Sequence, residues 1–167
     1  REANNFARFA LFQATTFQLM AADSPMGIKS PMNLAKKFGA SNYASAREFA
    51  RTNHRPCVVY ILEPIKTPPG KPAYAEVRRV ETSPSFAAQF GSPVDVLIDS
   101  DHALYPLLPI GKKMTAPTSL VYSDKNGDHH ECLGEAFDTT HNILLLVYPT
   151  KSLTGSTIAV PSQLVLP

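Results

Sequence analysis

Two histidines, a glutamate and a cysteine stand together at His129, His130, Glu131 and Cys132, and His141 follows nearby. Imidazole, thiolate and carboxylate groups bind Zn²⁺ in proteins, so this cluster is the first candidate for metal chemistry. The surrounding pattern predicts a β-strand, in which alternate residues point to opposite faces. His129 and Glu131 then face one way and His130 and Cys132 the other. At most two neighbouring ligands share a face, so we predict no metal site.

The two cysteines, Cys57 and Cys132, indicate a second kind of chemistry. They lie in different predicted elements, and they could meet across a sheet as a redox pair. Buried, unreactive thiols are the alternative that we favour, because free cysteine behaves as a small apolar residue. The chain has no Ser-His-Asp arrangement of suitable spacing and no glycine-rich phosphate loop, so we assign no catalytic residue.

Basic residues indicate contact with anions at two places. The first set comprises Lys36, Lys37, Arg47, Arg51 and Arg55. The three arginines recur every four residues, which on a helix places them in one stripe that could hold the phosphates of single-stranded DNA. Residues 1–55 carry eight Lys or Arg and three Asp or Glu, whereas residues 56–167 carry eight and eleven, and the net charge is +2. A solvated basic helix face is the alternative.

The second place is a pair of lysines, Lys112 and Lys113, which follow Gly111 just before a predicted strand. They are the best candidate for an anion contact in the second half of the chain. A solvated loop is the alternative.

The elements that position these residues begin with a helical segment, residues 1–55. Apolar residues recur at helical spacing over residues 2–22, which predicts one helix that is apolar over much of its surface and needs neighbours on more than one side. Ser30 and Pro31 predict the N-cap and first turn of a short helix that ends near Gly39. Ser41 predicts the N-cap of the following helix. A helix, a glycine turn and a helix have the spacing of a helix-turn-helix.

From residue 56 onward the pattern indicates strands. Pro56–Glu63 and Asn142–Tyr148 are apolar runs rich in β-branched and aromatic residues, which predicts two strands buried on both faces. Strict alternation predicts another strand over residues 74–82. An Asn-Gly turn predicts a hairpin between strands over residues 113–122 and 128–137.

Two short helices complete the prediction, one opened by Ser83 and ending near residue 90, the other capped by Asp101 over residues 102–108. We therefore predict an α+β fold in which a helical, helix-turn-helix-like segment, residues 1–55, precedes a mostly antiparallel sheet domain, residues 56–167. A chain of 167 residues is long enough to bury a core without disulfides. No apolar run approaches 18 residues, so we expect a soluble, cytoplasmic protein that does not enter membranes.

Two motifs in the helical segment resemble those of the ImmA/IrrE family of zinc metallopeptidases. Glu2-Ala3-Asn4-Asn5-Phe6-Ala7 is similar to the family's E-A-N-x-F-A segment, and Leu34-Ala35-Lys36-Lys37-Phe38-Gly39-Ala40-Ser41 is similar to the L-A-x-x-F-G-V-S unit that follows it. The resemblance implies a zinc site made by an HExxH helix and a later glutamate. That glutamate would fall immediately before Arg1, and the chain contains no HExxH. We therefore expect a non-catalytic C-terminal portion of such a peptidase, with zinc bound elsewhere in the intact protein.

In the long forms of this family, the region that corresponds to residues 56–167 is GAF-like, and its order of strand, strand, short helices, hairpin and final strand is similar to the order predicted here. GAF domains are sensor modules with a small-molecule pocket over one face of the sheet. Candidate lining residues are aromatic and aliphatic, namely Tyr74, Phe86, Phe90, Tyr105 and Leu108. Plain core packing is the alternative for these side chains.

The resemblance implies that the intact protein cleaves a helix-turn-helix transcriptional repressor in a DNA-damage or anti-phage response. The present chain would sense the trigger, and single-stranded DNA and a small ligand are the two candidates. The alternative is a small-molecule-binding or protein-interaction module with no nucleic-acid role. The oligomeric state stays open, with a dimer as one option.

Overall fold

The computed structural model describes residues 2–13 and 15–153, which form helices followed by a sheet. Two 3-10 turns, Tyr105–Leu107 and Thr150–Leu153, accompany the regular elements. The helices are α1 (Glu2–Phe12), α2 (Thr15–Asp23), α3 (Lys29–Phe38), α4 (Asn42–Thr52) and α5 (Pro84–Phe90), and the strands are β1 (Val58–Leu62), β2 (Ala75–Thr82), β3 (Leu97–Ile98), β4 (Thr118–Ser123), β5 (His129–Asp138) and β6 (Ile143–Pro149).

The strands form one six-stranded sheet in the order β3-β2-β1-β6-β5-β4, and every pairing in it is antiparallel. The two apolar runs of the sequence become β1 and β6, which pair with each other at the centre. Every residue of both strands is buried. The predicted α+β class and the two central strands are therefore confirmed.

The sheet separates two hydrophobic clusters. Alternate residues of β1 point to opposite faces, so Val59 and Ile61 contact the helical cluster while Tyr60 contacts the other one. The helical cluster includes side chains of α2, α3 and α4, among them Phe17 and Phe49. The second cluster lies under α5 and the loops that follow it. The helical segment and the sheet therefore share one hydrophobic cluster.

The predicted helix over residues 2–22 is two helices, because the chain turns at Gln13, whose φ is 50°. The turn brings the rings of Phe12 and Phe17 to a centroid distance of 4.7 Å. In one straight helix, residues five apart would point about 140° away from each other around the axis. The ring centroid of Phe17 also lies 5.2 Å from that of Phe38 in α3, so the turn at Gln13 allows three aromatic rings to pack together.

The start of α3 also differs from the prediction. The helix begins at Lys29, one residue before the predicted cap Ser30, whose hydroxyl donates instead to the carbonyl of Pro25. The backbone N–H of Ile28 donates to the carboxylate of Glu135 at 3.2 Å. A side chain of β5 thus satisfies a donor that a local cap would otherwise satisfy.

The caps that depend on neighbours in sequence are confirmed. Gly39, with a φ of 62°, ends α3 in the left-handed conformation that glycine adopts without a Cβ penalty. The Ser41 hydroxyl accepts from Ala44 N–H at 3.1 Å and caps α4. The Ser83 hydroxyl accepts from Phe86 N–H and caps α5.

The sheet half departs from the prediction at three points. First, a β-bulge interrupts the pairing of β1 with β2, because Ile61 pairs with Arg79 and Leu62 pairs with Val77. Arg78 is the extra residue, so Val77 and Val80 both contact the second cluster, although strict alternation assigned them to opposite faces.

Second, the strand predicted over residues 113–122 is shorter, because β4 begins only at Thr118, after Pro117, which has no N–H to donate. Third, the predicted helix over residues 102–108 is only a 3-10 turn. Asp101 does not cap it; the carbonyl of Asp99 accepts from His102 N–H at 3.0 Å.

The Asn-Gly hairpin between β4 and β5 is confirmed. The Asp124 carboxylate accepts from Asn126 and Asp128 N–H, and Gly127 has a φ of 85°. None of the described helices is both long and apolar enough to cross a membrane.

Candidate functional site

The predicted nucleic-acid residues do not lie on one free surface. Lys36 and Lys37 are exposed in the last turn of α3. Arg47 and Arg51 project from α4 toward the sheet, where both bind the carboxylate of Glu81 on β2. Only the two lysines therefore present uncommitted positive charge to solvent.

The Glu81 carboxylate joins α4 to β2. Arg47 Nη2 lies 2.7 Å and Arg51 Nη2 lies 3.1 Å from Glu81 Oε1. Burial acts to raise the pKa of Glu81, but the hydrogen bonds and charges of the two arginines outweigh it, so the pKa lies below its ordinary value. The carboxylate stays ionised and holds both guanidinium groups against the sheet.

Arg55 lies beyond the C-terminus of α4 and leaves the predicted stripe. Its guanidinium donates to the carbonyls of Ala21 at 3.2 Å and Ser24 at 2.7 Å, at the end of α2. Burial lowers the pKa of Arg55. Every residue of α4 is buried or half-buried, and the Glu81 carboxylate holds its two arginines, so this helix presents no fully exposed face to a DNA groove.

Four of the five predicted pocket residues belong to the second hydrophobic cluster. Phe86 and Leu108 are buried, and Phe90 and Tyr105 are partly buried against them. The rings of Phe86 and Phe90 stack at a centroid distance of 4.6 Å. Tyr74 lies apart from them, with its ring centre 5.7 Å from Lys66 Nζ. It lines a shallow groove together with Pro68 and Leu97. The structure therefore brings four of these side chains together as packed neighbours.

A polar network that sequence reasoning missed lies beside these aromatic rings. Tyr60, at the centre of β1, donates its hydroxyl to the Asp95 carboxylate at 3.0 Å and lies 2.9 Å from the Tyr122 hydroxyl. His102 Nε2 lies 3.2 Å from the other Asp95 oxygen, while its Nδ1 accepts from Leu104 N–H. Burial, Tyr122 and Asp95 together raise the pKa of Tyr60. Asp95 thereby connects the loop after α5 to the central strand.

The histidine cluster is divided between the two faces of β5, as predicted. His129 and Glu131 are exposed. His130 Nε2 donates to the Asp124 carboxylate at 2.8 Å, and Cys132 is buried. The hydrogen bond from His130 lowers the pKa of Asp124. Within the described part of the chain, no three His, Cys, Asp or Glu side chains are grouped to hold a metal ion.

The two cysteines are free, buried and on opposite sides of the sheet. Cys57 contacts the helical cluster and Cys132 the second cluster. Burial raises the pKa of the Cys57 thiol to about 12 and that of Cys132 to about 11. Both stay protonated at neutral pH, which matches the unreactive alternative.

The lysine pair of the second half lies in a groove of about 520 Å³. One wall is the loop after β1, and the other is the loop that precedes β4. The lining residues are Pro64, Ile65, Thr67, Pro109, Ile110, Gly111, Lys112, Lys113 and Asp138. We call this the lysine groove.

No protein-family model matches the chain, and no curated protein matches its sequence.

Proposed function

We propose that this chain is the regulatory sensor region of an ImmA/IrrE-like zinc metallopeptidase. The intact protein would cleave a helix-turn-helix transcriptional repressor in a DNA-damage or anti-phage response. The chain would bind the trigger, for which single-stranded DNA is the first candidate. The observation that carries the proposal is the ordered pair of motifs, residues 2–7 and residues 34–41.

Exposed apolar side chains at the start of the chain support this proposal. Phe6 is 77 %, Phe9 59 % and Leu19 65 % exposed, although all three lie on helices. Phe6 and Phe9 are three residues apart on α1, and exposed apolar side chains at this spacing are typical of a helix face that packs against another domain. A peptidase domain that ends in α1 would bury them.

The arrangement of the sheet half supports the GAF-like part of the proposal. The buried strand β1, the partly exposed strand β2, the short helix α5, the hairpin of β4 and β5 and the buried final strand β6 follow one another in the expected order. Helices α2, α3 and α4 cover one face of the sheet, and α5 with the loops that follow it covers the other. A module of this kind can bind a ligand on its loops and carry the effect through the sheet to the helices.

Direct contacts supply a physical route between the two halves. The Ser83 hydroxyl accepts from Cys57 N–H at 3.0 Å, at the start of β1, and the Ser85 hydroxyl donates to the carbonyl of His54. Together with the Glu81 ion pairs, these contacts fix the end of α4 against β1, β2 and α5. A displacement of the sheet therefore reaches α4 without crossing a flexible linker.

Labelled single-stranded DNA tests the nucleic-acid role. We expect the anisotropy of the DNA to rise with the chain, and the affinity to fall by about tenfold between about 50 and about 200 mM salt. Lys36→Ala/Lys37→Ala should reduce the slope of log affinity against log salt by about 1.4, which is about 0.7 for each lost phosphate contact. These lysines are the right targets, because removing Arg47 or Arg51 would also disturb the contact with Glu81.

The matched control is Lys112→Ala/Lys113→Ala, which removes another adjacent pair of exposed lysines with the same change in charge. It should leave the salt slope unchanged. Absence of salt-dependent binding, or equal loss of affinity in both double variants, would contradict a DNA site on α3.

The second candidate function is a small-molecule-binding or protein-interaction module of GAF-like architecture with no nucleic-acid role. The observation that favours it is the lysine groove, which lies in the sheet half and away from the helices. Failure of DNA binding would favour this second function.

A further inference from the structure

We propose that the lysine groove binds a small organic phosphate, a molecule with one phosphate group and an apolar body. The volume of the groove, about 520 Å³, falls in the range of small-molecule sites. The lining of the groove combines two lysines with two prolines and two isoleucines, and Thr67, Gly111 and Asp138 complete it. Each of these features matches one part of such a ligand.

The charge requirement comes from the two lysines. Lys112 and Lys113 are exposed, and neither forms an ion pair with a carboxylate whose side chain the structure describes. Lys113 Nζ lies 5.8 Å from the centre of the Phe137 ring, a contact that places the ammonium group without neutralising it. A phosphate dianion carries two negative charges, which balance the two positive charges of this pair, and it accepts hydrogen bonds from both ammonium groups.

The apolar requirement comes from the remaining lining. Pro64 and Ile65 form part of one wall, and Pro109 and Ile110 form part of the other. Ile110 is 40 % exposed, so a ligand body that contacts it would remove apolar surface from water. Inorganic phosphate uses only the lysines, whereas a phosphate ester with an apolar body uses both walls.

Backbone hydrogen bonds hold the loop that carries the two lysines. Lys112 N–H donates to Pro109 carbonyl at 3.2 Å, and Gly111 has a φ of 67° in this turn. Asp138 N–H donates to the Lys113 carbonyl at 2.8 Å, which fixes the loop to the end of β5. A site whose backbone is already in place loses less conformational entropy on binding.

The remaining charged group of the groove selects a small ligand. Asp138 also lines the groove, and its Oδ1 accepts from Thr140 N–H at 2.7 Å. A nucleic-acid strand would bring several phosphates close to this carboxylate, each of them repelled, whereas a ligand with one phosphate brings only one. The lysine groove is therefore suited to one phosphate group rather than to a polyanion.

This inference rests on the proposed sensor function only for the role of the ligand as a trigger; binding itself is tested separately. Phenyl phosphate is the probe, titrated into the ¹⁵N-labelled chain and followed by amide NMR shifts. We expect saturable shifts of the amides of residues 65–67 and 110–113. Lys112→Ala/Lys113→Ala should weaken binding at least about tenfold, because it removes both charge-assisted hydrogen bonds.

Four comparisons make the result decisive. Lys36→Ala/Lys37→Ala, the matched lysine pair on α3, should bind phenyl phosphate with unchanged affinity. Inorganic phosphate should bind at least about tenfold more weakly than phenyl phosphate, and Ile110→Ala should weaken phenyl phosphate without affecting inorganic phosphate. Benzoate, with a single charge, should also bind more weakly than phenyl phosphate.

No saturable binding of phenyl phosphate would overturn the proposal. Equal affinity for inorganic phosphate and phenyl phosphate would overturn it as well, because the groove would then bind an adventitious anion only. Either failure leaves the DNA titration on Lys36 and Lys37 unaffected, so the two proposals fail separately.

Discussion

Gly134→Ala is expected to lower the free energy of unfolding by about 2 kcal/mol, because the added methyl group overpacks a closed interface. Gly134 lies in β5 under the 3-10 turn Tyr105–Leu107. A Cβ built there would overlap Leu107 Cδ1 and lie 2.9 Å from Leu107 Cδ2. Leu107 is buried and its turn is held by backbone hydrogen bonds. The backbone of Gly134 is not in the left-handed region, so this steric contact is the cause of the loss.

The double variant separates this mechanism from general damage to the strand. Leu107→Ala alone should cost about 3 kcal/mol through lost burial and a cavity. In Gly134→Ala/Leu107→Ala the new methyl group enters the space left by leucine. The free energy of unfolding should therefore fall by about 3 kcal/mol, not by the sum of the two single losses, about 5 kcal/mol. Urea unfolding of the four proteins measures the coupling. Additive losses would contradict the contact between the turn and β5.

The second large effect is expected for Glu81→Gln, which should lower the free energy of unfolding by about 2 kcal/mol near neutral pH. This loss lies between those typical of exposed and of buried ion pairs. The side chain of Glu81 is 17 % exposed, and the change removes the negative charge that the guanidinium groups of Arg47 and Arg51 share. Glu76→Gln is the matched control on the same strand. Glu76 is 49 % exposed in its pair with Lys66, so its replacement should cost no more than about 0.5 kcal/mol.

The cost of Glu81→Gln should depend on pH in one direction. The pKa of Glu81 is lowered in the folded chain, so its stabilising effect is complete above the unfolded-state pKa and is lost as the pH falls through the folded-state pKa. The difference in unfolding free energy between the parent and the variant should therefore shrink between about pH 7 and about pH 3. A constant difference over that range, or an equal cost for Glu76→Gln, would show that the ion pairs do not join α4 to β2.

Features governed by close neighbours in sequence could be predicted. Ser41 and Ser83 cap the helices that follow them, and the Asn-Gly turn forms the predicted hairpin. The run from Val58 to Leu62 is buried throughout because a central strand faces a cluster on each side. Each of these outcomes depends on local backbone preference or on composition, which a sequence displays directly.

Features governed by distant partners could not be predicted. The start of α3 uses Glu135, which is 107 residues away, so no local pattern indicates that Ser30 is not the cap. The bulge at Arg78 is also a property of strand pairing, and alternation alone does not reveal it. A contact with a residue far away in the sequence leaves no recognisable pattern among the neighbouring residues.

The same distinction applies to the candidate sites. A four-residue spacing correctly places Arg47 and Arg51 on one side of a helix, but it does not reveal that Glu81 occupies that side. Asp95, which binds Tyr60 and His102, lies in a loop without a recognisable pattern. The lysine groove was detectable in part, because Lys112 and Lys113 stand together after a glycine. One of its apolar walls, Pro64 and Ile65, comes from a loop about fifty residues away, which no local pattern indicates.

The most direct measurement of the proposed membership in the ImmA/IrrE-like peptidases is the nucleotide sequence of the reading frame upstream of the codon for Arg1. We predict a glutamate codon immediately before Arg1 and an HExxH segment farther upstream in the same frame, which together supply three zinc ligands and a general base. An upstream frame that encodes neither of them would contradict the proposal.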